Sequence, residues 1–223
     1  MGAGELVGRQ LLVQLLQHSA YRRIVALMEE PLRFDHERLQ VQTVNYEHLD
    51  RHLPSDPVHD VYYVWDASAR PIRYEGTTLQ AEQTYAVQLA RLALEQGATQ
   101  YLFLSSVGAD PDSSLYYRQE KRDVELALEA LSYWSVHVFR PALVVEAATD
   151  YTWGARAADW LGRSLRTLSG GVLGKYRPVD ALTVAKAMVQ GGQRLQAGIH
   201  HYSSEYLQEL AKSLDQGIIR KNG

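Results

Sequence analysis

The chain has no cysteine in its 223 residues. Disulfides, thiolate metal sites and cysteine nucleophiles are therefore excluded together, and a reducing cytoplasm is the expected compartment. It also lacks a basic excess, with a formal net charge of -3. Nucleic acid is accordingly not an expected partner, and Arg-rich spots such as Tyr21-Arg22-Arg23 are too short to change that. No apolar run approaches the ~18 residues of a membrane span. The amino terminus shows no basic region followed by an apolar one, and Leu6 stands where a myristoylation motif needs Ser or Thr. Neither a membrane nor a metal is expected: His48 and His52 share a face of a short polar segment, but no third ligand lies nearby in sequence. Lysine is scarce as well, with five in the chain. The place of one of them therefore carries information.

What is present is an alternation of short apolar runs with amphipathic ones. With 46% apolar and 22% charged residues, the chain can bury one sizeable core. A glycine-rich start, Gly2-Ala3-Gly4-Glu5-Leu6-Val7-Gly8, leads into apolar residues at helical spacing through Leu16. Such a turn lets backbone N–H groups and a helix N-terminus approach a pyrophosphate. Strands are expected at Arg23–Met28, Gln40–Asn45, Asp60–Trp65, Tyr101–Leu104, Ser135–Arg140 and Gly198–Tyr202. Helices are expected at about 78–96, closed by Gly97, at 115–131, 151–168, 176–188 and 204–214, the last opened by Ser204 as a cap. The pattern reads as α/β, a doubly wound parallel sheet. We expect a single domain over residues 1–223, with 147–223 contributing a smaller substrate-side elaboration.

The ligand crevice of such a sheet lies beyond the carboxyl ends of its strands. Glu29 falls at one such end, about 20 residues after Gly8, the offset at which a carboxylate can accept both ribose hydroxyls of NAD. Ala67 and Ser68 follow another strand and are small enough for a cofactor to pass. A third strand ends in Ser105-Ser106, and the next helix carries Tyr117 and Lys121. Residues four apart share a helix face. Reduction of a carbonyl leaves an alkoxide that must be protonated, and a phenol does this when a neighbouring cation stabilises its phenolate. Ser106, with Ser105 as the alternative, would hold the substrate oxygen. Chance alone gives about 0.3 Tyr-x-x-x-Lys pairs at this composition. This pair, the single one in the chain, follows a strand that ends in two hydroxyls.

Taken together, the glycine-rich start, Tyr101-Leu102-Phe103-Leu104-Ser105-Ser106-Val107-Gly108-Ala109-Asp110, Tyr117 with Lys121, Phe139-Arg140-Pro141 and Tyr176-Arg177-Pro178-Val179 resemble the atypical short-chain dehydrogenases. Within them they are similar to the Tat-interacting-protein-like oxidoreductases among the NmrA-like, NAD(P)-binding proteins. The resemblance implies a Rossmann fold and NAD or NADP as cofactor. It makes Tyr117 the general acid, sets Lys121 on the nicotinamide ribose and puts Ser106 on the substrate. The cofactor-binding set is then Gly2, Gly4, Gly8, Glu29, Ala67, Ser68 and Lys121. Departures accompany it. Gly4 and Glu5 replace a Thr and a Gly of the family turn, Asp66 replaces a Gly, and Glu29-Glu30 stand where basic residues are usual, which favours NAD over NADP. The strand that should precede the glycine turn is absent from the sequence, so two unpaired edges are expected inside the sheet unless another segment fills the place. The expected partners are a dinucleotide and a small carbonyl or alcohol, with the chain a monomer or homodimer. The alternative is a Rossmann module without catalysis that binds a dinucleotide weakly or a protein partner.

Overall fold

Helix α1 (Leu6–Gln17) forms because Val7, Leu11, Leu12, Leu15 and Leu16 recur on one stripe, and all five are buried. β1 (Ile24–Met28) and β2 (Leu39–Thr43) follow and pair in parallel, Ile24 opposite Leu39. This is a computed structural model, and it describes residues 1–29, 31, 34–54, 56–64, 77–105, 115–145 and 178–221. For residues 46, 47, 77–83, 115–121 and 215–221 it describes the backbone alone. The expected helix over 151–168 lies outside the described residues.

A 3-10 turn at Tyr46–Arg51 takes the place of the short polar helix, and His48 breaks it with φ -130° and ψ 44°. Across that kink His48 and His52 no longer follow one helical face. β3 (Asp60–Tyr63), α2 (Thr77–Glu95), β4 (Gln100–Leu104), α3 (Leu115–Glu129) and β5 (Ser135–Arg140) then alternate as the periodicity predicts. Gly97, at φ 94°, ends α2. Its N–H donates to Leu94 O and that of Ala98 to Ala93 O, so the last carbonyls of the helix are satisfied. A two-residue pair, β6 (Val144–Val145) with β7 (Val179–Asp180), precedes α4 (Ala181–Gln193). Asp180 caps α4, its carboxylate accepting from the Thr183 N–H at 2.9 Å. β8 (Gly198–Ser203) and α5 (Ser204–Lys221) close the described chain. α5 continues past Leu214, where a frayed polar tail was expected. Ser204 opens it, but the Ser204 hydroxyl accepts from the Ala142 N–H at 2.7 Å. That bond ties the helix start to the end of β5.

Among the described residues all strands run parallel, and helices cover both faces: the fold is a doubly wound Rossmann-type α/β sheet. On one face Leu11 and Leu15 of α1, Val184 and Met188 of α4, and Leu207 of α5 pack on Leu102 and Phe139. On the other, Leu89 of α2 and Val124 and Leu128 of α3 pack on Tyr63, Tyr101 and Phe103. Residues 178–221 belong to this main body, because β8 pairs with β5 and α4 packs against α1. His137 is fully buried in β5. Its Nδ1 accepts from the Tyr202 hydroxyl at 2.8 Å, and its Nε2 lies 2.8 Å from Ser135 Oγ. Because the Ser135 hydroxyl donates to Gln196 O at 2.7 Å, the His137 ring is neutral with its proton on Nε2. It is a core histidine, as its apolar neighbours in sequence suggest.

Among the described residues the strands fall into three paired units, one of them the short β6-β7 pair. β3-β4-β5-β8 form one four-stranded unit, while β1-β2 stand apart. Between β1 and β3 lies a cavity of about 800 Å³, lined by Leu11, Leu12 and Leu15 on one side and Leu89 and Ala93 on the other. A buried backbone group left unpaired there costs about 1–3 kcal/mol unless water reaches it.

Candidate functional site

The glycine turn leads directly into α1. Gly2 adopts φ 89°, open to glycine without penalty, and the Glu5 N–H donates to Gly2 O at 3.1 Å. Gly8 leaves no room for a side chain: a Cβ there would stand 1.9 Å from Gly2 O and 2.8 Å from Ala3 Cα. The first turn of α1 therefore rests directly on the loop, with Glu5 at the N-cap position and no side-chain cap over the helix end. That leaves the amino end of the helix, with its partial positive charge, open to an anion.

Gly4 has a different role. A Cβ on it would meet only Met28 Cε, at 3.3 Å, the mobile end of a flexible side chain. Its carbonyl accepts from Arg9 Nε at 2.7 Å, so Arg9 folds back along the turn. Contact with Met28 places the turn against the carboxyl end of β1. Glu29 is the next residue and is exposed there. Gly2, Gly8 and Glu29 thus gather at one rim of the sheet, and Gly4 is present without being sterically required. Ala67, Ser68 and Asp66 lie outside the described residues.

The second part of the rim is the end of β4. Alternation puts Tyr101, Phe103 and position 105 on the side of α2 and α3. The Tyr101 hydroxyl accordingly donates to Ala86 O in α2 at 2.9 Å. Ser105 is 2% exposed, and its hydroxyl has no hydrogen-bond partner. Its N–H donates to Phe139 O at 2.8 Å, which fixes the backbone at the strand end. A buried hydroxyl with nothing to bond is unusual and calls for an explanation. Ser106 lies outside the described residues, so the choice between the two hydroxyls rests on Ser105.

Helix α3 carries positions 117 and 121 on the stripe shared by Val124, Glu125 and Leu128. Val124 and Leu128 belong to the core against the sheet, so this stripe faces the strands. The structure describes the helix there but not the Tyr117 and Lys121 side chains. What holds α3 in place was not read from the sequence: Arg140, at the end of β5, makes a paired contact with Glu125. Arg140 Nε donates to Glu125 Oε1 at 3.0 Å and its terminal nitrogen to Oε2 at 2.5 Å. The Glu125 side chain is 7% exposed, and a two-pronged ion pair of that kind fixes orientation as well as distance. One signal pointed to it, an acidic residue four positions beyond Lys121 on the same face. Among the described residues, no group of three or more metal-ligating side chains occurs, and no helix is long and apolar enough to cross a membrane.

No family model matches the chain. Protein HTATIP2 of Rattus norvegicus is 27% identical over 192 residues, which cover 85% of this chain and 78% of that protein. Protein FMP52, mitochondrial, of Coccidioides immitis (strain RS) is 29% identical over 143 residues, 63% of this chain and 58% of its own length. The chain therefore spans less than two thirds of that second relative. Among solved structures, the Bordetella bronchiseptica enzyme WbmH in complex with NAD+ superposes with a TM-score of 0.58 at 13% identity, over 98% of this chain and 79% of that one. The human epimerase family protein SDR39U1 (isoform 2) with NADPH gives 0.53 at 13% identity, over 96% and 78%. Identities this low speak for the fold, and the HTATIP2 likeness speaks for descent. Together with the glycine turn, they agree with the resemblance of the chain to the atypical short-chain dehydrogenases and with a Rossmann fold.

Proposed function

We propose that the chain is an NAD(P)-dependent oxidoreductase of the short-chain dehydrogenase type, acting on a small carbonyl or alcohol. The observation that carries this reading is the glycine turn. Gly8 has no space for a Cβ, Gly2 takes a positive φ, and the amino end of α1 has no capping side chain. Such a cradle suits a pyrophosphate. That two of the structural neighbours hold NAD+ and NADPH agrees with a dinucleotide here.

When bound, the cofactor supplies hydride to the carbonyl carbon. The chain supplies the rest. Tyr117 gives its proton to the substrate oxygen, and Lys121, one helical turn on, stabilises the resulting phenolate. A serine hydroxyl from the end of β4 donates to the same oxygen. Ser105 is favoured over Ser106 for that donor, because its buried hydroxyl has no other partner. Glu29, exposed at the end of β1, accepts the ribose hydroxyls and disfavours a 2′-phosphate, so NAD is preferred to NADP.

Titration with NADH and NADPH, followed by cofactor fluorescence and melting temperature, tests the cofactor. Tighter binding of NADH is expected, and no binding of either would overturn the reading. Tyr117→Phe should abolish turnover while leaving dinucleotide affinity within about twofold, since a phenol used only for proton transfer adds little to ground-state binding. A second reading, a dinucleotide-binding module without catalysis, is favoured by Glu5, a carboxylate-bearing residue at the mouth of the cradle. Binding of NADH without reduction of any carbonyl in a substrate screen would select it.

A further inference from the structure

Helix α3 carries polar residues at every fourth position, Tyr117, Lys121, Glu125 and Glu129. Residues four apart are neighbours on a helix, about 5–6 Å between Cβ atoms, so each side chain of this row has the next within reach. The sheet answers the two carboxylates with basic groups. Arg140, the last residue of β5, takes both oxygens of Glu125, and His201 Nε2 of β8 stands 3.4 Å from Glu129 Oε1. Arg122 and Asp123, the charged neighbours of the row on α3, are exposed.

Stability does not account for the pair of Glu125 with Arg140. The Glu125 side chain is 7% exposed, and a buried ion pair adds little over two apolar side chains of the same volume. Its geometry has another consequence. Cα–Cβ bonds tilt toward the amino end of a helix, which inclines Lys121 toward Tyr117. A free carboxylate one turn further on would draw the Lys121 ammonium the other way. With a guanidinium nitrogen on each oxygen, the Glu125 carboxylate is neutralised where it stands and has no need of a second cation.

We propose that Arg140 is a positioning residue for Tyr117 and Lys121: by holding both oxygens of Glu125 it keeps that carboxylate from Lys121 and leaves the ammonium to the Tyr117 phenol. The inference rests on the proton-transfer roles proposed above for Tyr117 and Lys121. Arg140 and Glu125 act through Lys121 and touch neither substrate nor cofactor.

The test needs no substrate. In protein isotope-labelled at the tyrosine ring carbon that bears oxygen, the Tyr117 NMR resonance is the one lost in Tyr117→Phe, and its movement with pH follows ionisation of the phenol. Lys121→Met first checks the underlying reading: loss of the cation is expected to weaken that ionisation by about tenfold. If it does not, Lys121 does not serve Tyr117, and the reading and the inference fall together. Given that effect, Arg140→Gln is expected to weaken the ionisation by about fivefold, through the released Glu125 carboxylate. Adding Glu125→Gln should restore wild-type behaviour to within about twofold, and in the Lys121→Met background Arg140→Gln should matter by less than about twofold. An unchanged ionisation in Arg140→Gln overturns the inference while leaving the roles of Tyr117 and Lys121 intact. So does a double variant no better than the single one, which would make the pair a plain anchor for α3, and so does an equal effect without Lys121. Should Arg140→Gln fail to fold, Arg140→Lys decides, because an ammonium cannot match both oxygens as the guanidinium fork does. A loss of about threefold that Glu125→Gln reverses is then expected, and no loss overturns the inference.

Discussion

The two parts of the sheet are built from similar runs of sequence and differ in how completely they are paired. Ile24–Met28 and Gln100–Leu104 are both short, buried and apolar. β4 has a parallel partner on each side and every one of its residues is buried, whereas β1 pairs only with β2 and opens onto the cavity on its other edge. Burial of side chains therefore does not by itself complete a sheet; each edge also needs a backbone opposite it. The completed part carries Ser105 and, through Arg140 and Glu125, the helix with Tyr117 and Lys121. The open part carries the glycine turn and Glu29. The groups proposed for proton transfer thus stand on the better-held part and the proposed cofactor cradle on the looser one.

Core truncation should expose this contrast most strongly. Leu207→Ala, at a fully buried position against the completed sheet, is expected to cost about 2–5 kcal/mol, and Leu12→Ala, which faces the existing cavity, less than half of that. Equal losses in denaturant unfolding would mean that the cavity is closed in solution. Glu125→Ala comes next. It strands Arg140, whose side chain is 31% exposed, so the cost should fall below that of a fully buried pair, at about 2–3 kcal/mol. Charge reversal at both positions together should recover part of it. A full loss in the double mutant would show that packing, and not the ion pair, holds α3.

A smaller contrast sets the two glycines of the turn apart. Gly8→Ala forces Cβ against the Gly2 backbone and should cost about 1–3 kcal/mol together with most of the NADH affinity. Gly4→Ala need only displace the tip of Met28 and should stay within about 0.5 kcal/mol. If Gly4→Ala instead abolished NADH binding with the fold intact, Gly4 would line the cofactor after all.

Two effects of pH run the same way. Burial, helped by the charges of His200 and Arg194, lowers the His137 pKa from 6.5 to about 4. The unfolded chain then binds the extra proton between those values, so stability should fall as pH drops from 6.5 to 4. The Met1 amine, lowered from 8.0 to about 5, works by the same sign in a higher window, and stability should rise from pH 5 to 8. Nα-acetylation should flatten the upper window and leave the lower one unchanged, a separation that unfolding curves at fixed temperature can read.

Much of the fold was legible because period and punctuation are local. Alternating apolar runs marked the strands and Gly97 the end of α2, whereas the helix expected over 176–188 runs over Ala181–Gln193, because Val179–Asp180 pairs as β7 and Asp180 caps the helix. The kink at His48 was not legible, and neither was the bond from the Ala142 N–H to Ser204, because both depend on what packs nearby. The site divides in the same way. The spacing of Gly2, Gly8 and Glu29 suggested the cradle proposed above, while the room beside Gly4 emerged only from its distance to Met28. Ser105, the secondary choice beside Ser106 in sequence, gained weight only from a hydroxyl buried without a partner.

By itself the sequence determined the alternation of strands and helices and the parallel class that follows from it, since both rest on residue types and spacing along the chain. Tertiary structure alone decided which strands meet. β1 pairs with β2 and stands apart from β3 across an apolar cavity, and Met1 bonds Tyr62 O and the Val64 N–H at its edge, because such contacts join residues far apart along the chain.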